Sequence, residues 1–166
     1  RKSGTVGFPL PGVELQLAAD GEVLVKGANV IAGYYQRPDA NAEAFTDDGW
    51  FRTGDLGELD GDGYLTLVGR SKELIITGGY NVYPREVEEV LGGHPKISEV
   101  AVVGRDSAEW GEEVTAVVVA GQPVGEQELK DYAAAHLAPY KVPKRIEFAD
   151  QLPRNALGKL VREKLK

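Results

Sequence analysis

The chain has 166 residues, of which 42% are hydrophobic and 27% charged, with a net charge of −7 and no cysteine. Such a composition is too apolar for disorder, and the length lets roughly 68–70% of the unfolded surface be buried without staples. The missing cysteines exclude disulfides and thiolate metal sites, and two histidines, His94 and His136, exclude a histidine-rich metal centre, so no metal ligands are expected. No apolar run approaches a membrane span and no leader-like pattern opens the chain, so a cytoplasmic protein is expected.

Alternating residues over 13–18 and 22–26 flank Ala19-Asp20-Gly21 and predict a β-hairpin. Pro38 opens a short helix to Phe45. The runs 56–60 and 64–69 flank Gly61-Asp62-Gly63, a second hairpin, so the first part of the chain reads as a small antiparallel β unit. The pattern changes after Gly69. A short strand over 73–77 meets Gly78-Gly79, and Pro84 then opens a helix with Val87, Val90 and Leu91 on one face and Gly92-Gly93 as its stop. Residues 100–103 and 114–120 read as buried strands, 126–137 as a helix stopped by Pro139, 145–148 as a strand and 159–165 as a helical turn or two. The expected class is α+β: an antiparallel β lobe over 1–69, a junction at 70–72, and a small α/β domain over 73–166.

Charge is uneven along this path. From Pro139 onward there are eight Lys or Arg against three Asp or Glu, whereas the rest of the chain is acidic. An acidic body argues against nucleic-acid binding, which wants a basic face over the whole domain. Charge alone leaves the basic end open between a solvated helix and a segment that meets a small polyanion.

Three segments carry chemistry beyond the needs of a fold. Gly49-Trp50-Phe51-Arg52-Thr53-Gly54-Asp55-Leu56-Gly57 sets a carboxylate beside glycines, where it can approach a ribose diol and accept two hydrogen bonds; a Gly-Asp pair in isolation is also an ordinary turn. Gly69-Arg70-Ser71-Lys72-Glu73 and Gly78-Gly79-Tyr80-Asn81-Val82-Tyr83-Pro84 lie at the change of pattern, where charged residues equally suit a solvated linker. Leu152-Pro153-Arg154-Asn155-Ala156-Leu157-Gly158-Lys159 places a lysine after a glycine, able to reach a phosphate as a compact charge or simply to decorate a surface.

In this order and spacing, and with Gly21-Glu22-Val23-Leu24-Val25-Lys26-Gly27 running on to Gly33-Tyr34-Tyr35, the segments resemble the carboxyl-terminal core motifs of the adenylate-forming superfamily, the acyl-CoA synthetases among them. Within it, the Gly78–Pro84 and Pro153–Lys159 segments look most like malonyl-CoA synthetases and their medium- or short-acyl relatives. The resemblance implies activation of a carboxylic acid with ATP and Mg2+ to an acyl-adenylate, then transfer of the acyl group to CoA. It implies that Asp55 holds the ribose hydroxyls and Arg70 contacts the nucleotide nearby. It makes Lys72 the hinge about which the small domain turns, Gly78, Gly79 and Tyr80 the loop along the pantetheine path, and Lys159 the catalytic lysine of adenylation.

Phosphate-gripping, adenine-binding and acyl-pocket segments of the family have no match here, so the expectation is a carboxyl-terminal fragment whose partner is the large domain of the same protein and which is inactive alone. Two alternatives stand beside it: an adenylation domain that loads a carrier protein, and a non-catalytic binding module. Only seven residues follow Lys159, which favours free CoA as acceptor. A pure scaffold would need none of Asp55, Arg70, Lys72 and Lys159.

Overall fold

A computed structural model describes residues 2–166, which separate into two compact units, one running to Lys72 and the other from Glu73 to Lys166. Among the described residues no helix is long and apolar enough to cross a membrane.

The first unit is a four-stranded antiparallel sheet in the order β1 (Val13–Leu17), β2 (Glu22–Gly27), β3 (Phe51–Leu59), β4 (Leu65–Arg70), with the helix α1 (Pro38–Ala44) inserted between β2 and β3. Alternation places Val23, Leu56 and Leu65 inside. Both hairpins form where Asp-Gly turns predict them. Asp60 Oδ1 accepts from the backbone N–H groups of Asp62 and Tyr64, and so closes the β3–β4 turn. The strand expected at 56–60 begins five residues earlier, at Phe51, so the Thr53-Gly54-Asp55 segment lies within β3 rather than in a turn. Gly57 packs too closely for any side chain, since a Cβ there would stand 2.8 Å from Val23 and Leu65 atoms and 3.1 Å from the Thr66 carbonyl oxygen.

The second unit is a five-stranded mixed sheet. Strands β5 (Ile75–Thr77) and β6 (Tyr80–Val82) form a hairpin; β7 (Ile97–Ser107) and β8 (Gly111–Ala120) form a long antiparallel pair. Strand β9 (Arg145–Phe148) pairs in parallel with the edge of β8 that Thr77 also meets at Gly111. Helices α2 (Pro84–Gly92) and α3 (Glu126–Ala134) pack on one face, burying Val87, Leu91, Leu129 and Ala133 against Val102, Val114, Ala116 and Val118. The opposite face, with Ala101 and Val117, is covered by the final segment through Leu152, Leu160 and Leu165. Such alternation is what a strand buried on both faces requires.

Three expectations shift. Residue 73 belongs to a 3-10 turn, Ser71–Glu73, ahead of β5; α3 ends at Ala134, three residues short of Leu137; and the helical turns expected over 159–165 reduce to a 3-10 turn, Arg162–Leu165. Strand β6, paired along β5, and the extension of β7 through Gly104-Arg105-Asp106, paired along β8, have no counterpart in the sequence pattern.

Candidate functional site

Within the first unit, Asp55 and Arg70 are cross-strand partners of β3 and β4, and Arg70 Nε meets Asp55 Oδ1 at 2.9 Å. The carboxylate is about a quarter exposed and has no other side-chain partner among the described residues. An arginine beside a carboxylate that faces solvent can share it with a polar ligand, the guanidinium screening the charge while free acceptor sites take hydroxyl protons.

Asp55 is aimed by an irregularity. Register runs from Leu24↔Arg52 to Glu22↔Leu56, so Thr53, Gly54 and Asp55 on β3 stand opposite Val23 alone. A bulge of this kind re-aims side chains at the cost of ladder hydrogen bonds. Gly54 supplies the left-handed turn with φ of +72°. Side chains replace the lost ladder. Thr53 Oγ1 donates to the Val23 carbonyl at 2.7 Å and accepts from Asp55 N–H at 3.1 Å. Glu22 accepts from Gly54 N–H at 2.9 Å and from Arg52 Nη1 at 2.9 Å. A cleft of about 660 Å³ opens beside this bulge, lined by Glu22, Tyr34, Arg37, Arg52, Gly54 and Ser71 among others. Glu22 and Arg52 were not singled out from the sequence, although a charged residue opening an apolar strand run was the available signal.

Lys72 lies exposed in the 3-10 turn that ends the first unit.

In the second unit, Gly78 and Gly79 make the β5–β6 turn with φ of +56° and +82°. Gly78 N–H donates to the Trp110 carbonyl at 2.8 Å, and the Trp110 ring lies over the glycine. Tyr80 stacks on Tyr140 with ring centroids 4.6 Å apart. Lys144 Nζ sits 5.1 Å from the Trp110 ring, and Lys141 is fixed by both oxygens of Glu86 at 2.6 and 2.7 Å. The hydrogen bond to Glu86 leads the effects that raise the Lys141 pKa, so that lysine stays charged. Trp110, Tyr140 and Lys144 escaped the sequence reading because they are far apart in the chain; the Pro-punctuated basic run 139–145 was the visible trace.

Lys159 is exposed and makes no salt bridge among the described residues. Its loop is a small closed hairpin. Arg154 and Leu160 form a bridge, and Asn155 Oδ1 accepts from the N–H groups of Leu157 and Lys159 at 3.0 Å each. Gly158, with φ of +76°, completes the turn. The loop is pinned at both ends, by Arg154 on Glu99 and by Arg162, which contacts Glu88 at 2.5 Å and Glu73 at 3.1 Å. Burial works to lower the Arg162 pKa, but the bonds and charges of Glu88 and Glu73 outweigh it and the pKa rises. Lys159 therefore rides on the cover of one sheet face, whereas Tyr80 stacks on Tyr140, which packs with the helix-bearing core of the other.

Residues 86–159 match the family model described as the AMP-binding enzyme C-terminal domain. Over 99% of its length the chain is 46% identical to a 2-succinylbenzoate–CoA ligase of Bacillus licheniformis, and over its whole length 43% identical to a long-chain-fatty-acid–CoA ligase of Mycobacterium tuberculosis. It spans 36% and 35% of those relatives. In structure it is similar to o-succinylbenzoate CoA synthetase from Bacillus subtilis in complex with an acyl-adenylate intermediate, with a TM-score of 0.92, 43% identity, and coverage of 99% of this chain and 36% of that one. Residues 86–159 thus belong to the AMP-binding enzyme C-terminal domain family, and the chain as a whole is similar to about a third of the length of named acid–CoA ligases.

Proposed function

We propose that the chain is the carboxyl-terminal part of an AMP-forming acid–CoA ligase, which joins a carboxylic acid to ATP as an acyl-adenylate, releasing pyrophosphate, and then moves the acyl group to the thiol of CoA, releasing AMP. The observation that carries this reading is that the Asp55–Arg70 pair and the unpaired Lys159 occur together in a chain this similar to named acid–CoA ligases. Asp55 and Arg70 hold the ribose. Lys159 places a cation between the substrate carboxylate and the α-phosphate, two anions that otherwise repel, and one such preorganised group is worth about 10²–10³ in rate.

The second half-reaction needs CoA where that lysine stood, so the small domain turns about Lys72. Support comes from the second unit itself, in which Lys159 and the Gly78–Tyr80 turn serve different faces of one sheet. Around that turn Trp110, Tyr140, Lys141 and Lys144 offer aromatic faces and ammonium groups, which suit an adenine and its phosphates. On this reading Mg2+ takes its protein ligands from the large domain of the full-length ligase. The acid is left open, because relatives of near-equal identity are named for 2-succinylbenzoate and for long-chain fatty acids.

The test uses the full-length ligase that carries this segment. Lys159→Ala should lower acid-dependent pyrophosphate release by about 10²–10³ while thioester formation from supplied acyl-adenylate falls much less. Lys72→Pro locks φ near roughly −65° and restricts Ser71, so adenylation should survive and CoA transfer collapse. Equal damage to both steps by both variants would overturn the two assignments.

A further inference from the structure

Glu22 is a buried carboxylate, 6% exposed, on the first residue of β2. A buried charge persists only where it is paired and hydrogen-bonded, and removing its partners is costly. Both partners of Glu22 belong to the stretch that immediately precedes Asp55: Arg52 through Oε2 and the Gly54 amide through Oε1, each at 2.9 Å. Thr53 is tied to the neighbouring Val23 carbonyl. Four successive residues of β3, Arg52 to Asp55, are thereby fixed by two residues of β2 or by one another, where the bulge has removed the ladder. The space around Gly54 is open, with no atom within 4 Å of a Cβ built there, so packing does not hold this turn in place. Glu22 does.

We propose that Glu22 is a positioning residue for nucleotide recognition: by clamping Arg52 and the left-handed Gly54 it sets the direction in which Asp55 presents its carboxylate to the ribose hydroxyls. The inference rests on the acid–CoA ligase reading and on the role given there to Asp55. Glu22 does not touch the nucleotide. Its effect travels through backbone, and so it alters discrimination at the ribose rather than the chemistry at the α-phosphate.

The experiment measures acid-dependent pyrophosphate release by the full-length ligase with ATP and with 2′-deoxyATP, for wild type, Asp55→Ala, Glu22→Ala and Glu22→Gln. Wild type should prefer ATP by about 10–100-fold in kcat/KM, the scale of a hydrogen bond to a charged group. Glu22→Ala should bring that preference to within about threefold, through a raised KM for ATP with kcat nearly unchanged, while the KM for 2′-deoxyATP, which keeps only the 3′-hydroxyl contact, rises less. Glu22→Gln keeps an acceptor for Gly54 N–H and should restore most of the preference. If Glu22→Ala does not fold, Glu22→Asp, with its shorter reach, takes its place and should lower the preference at least fivefold.

A variant that slows both nucleotides equally and keeps the wild-type preference would overturn the proposal, as would Asp55→Ala abolishing the preference while the Glu22 variants retain it. Absence of any preference in wild type would instead overturn the role of Asp55, and the proposal with it. Absence of pyrophosphate release altogether would overturn the ligase reading itself.

Discussion

Thr115 is fully buried in the centre of β8, and its hydroxyl has no hydrogen-bond partner among the described residues. Its cross-strand partner is Val103, also buried, on the face away from the helices. Burying an unpaired hydroxyl costs about 1–3 kcal/mol on the scale of protein mutational data. Valine has the same branching and nearly the same shape, so Thr115→Val removes that cost without opening a cavity or lowering strand preference. The expected gain is about 1–2 kcal/mol, and for a domain of this size each kcal/mol moves the melting temperature by roughly 4–8 °C. The two tryptophans fall one in each unit, so replacing Trp50 by Phe in every variant leaves Trp110 as the reporter of the second unit alone. Guanidinium unfolding followed by its fluorescence should show a raised midpoint with unchanged slope. A midpoint that stays put or falls in Thr115→Val would refute the reasoning, because it would mean the hydroxyl has a partner the fold needs.

Gly78→Ala should destabilise the second unit by more than Gly79→Ala. Both incur about 1–2 kcal/mol for left-handed backbone, but only at Gly78 does the new Cβ come within 2.9 Å of the Trp110 ring, and a shifted Trp110 emission should accompany the loss. Asp60 is held below its ordinary value of 3.8, first by the Lys2 hydrogen bond and then by the Tyr64 amide. A lowered folded pKa contributes stability that is present above that ordinary value and lost as pH falls through the folded one, so Asp60→Asn should flatten the acid limb of a pH-dependent melting curve below about pH 4. Unchanged acid sensitivity would contradict this.

Local signals carried well where one residue type does one job. Asp-Gly turns placed both hairpins of the first sheet, and Pro84 with Val87 and Leu91 placed α2 and its buried face. They failed where side chains stand in for the backbone. Thr53-Gly54-Asp55 has turn composition, yet it is strand, because Glu22 and Val23 satisfy groups that a ladder would otherwise hold, and such long-range bonds leave no period in the sequence. Gly104-Arg105-Asp106 misleads for the opposite reason: its ladder to Glu112, Glu113 and Val114 is intact and overrides the local preference. The candidate residues Asp55, Arg70, Lys72, Gly78, Gly79, Tyr80 and Lys159 were legible as motifs. What was not legible is how they are held, namely the pairing of Asp55 with Arg70, the stacking of Tyr80 on Tyr140, and the Asn155 turn under Lys159.

The cover on the second face of the mixed sheet differs in kind from the helices on the first. From Ala149 to Leu165 it has a single backbone bridge, one short 3-10 turn and a few apolar anchors, with Arg154 and Arg162 as its ionic fasteners. Regions with few ladder bonds and few buried contacts open at lower free energy than the strands beneath them. Amide hydrogens of this strap should therefore exchange with solvent faster than those of the β7–β8 pair, through local openings that leave the pair intact. On the reading proposed above, the loop that carries Lys159 would then adjust without disturbing the sheet beneath it.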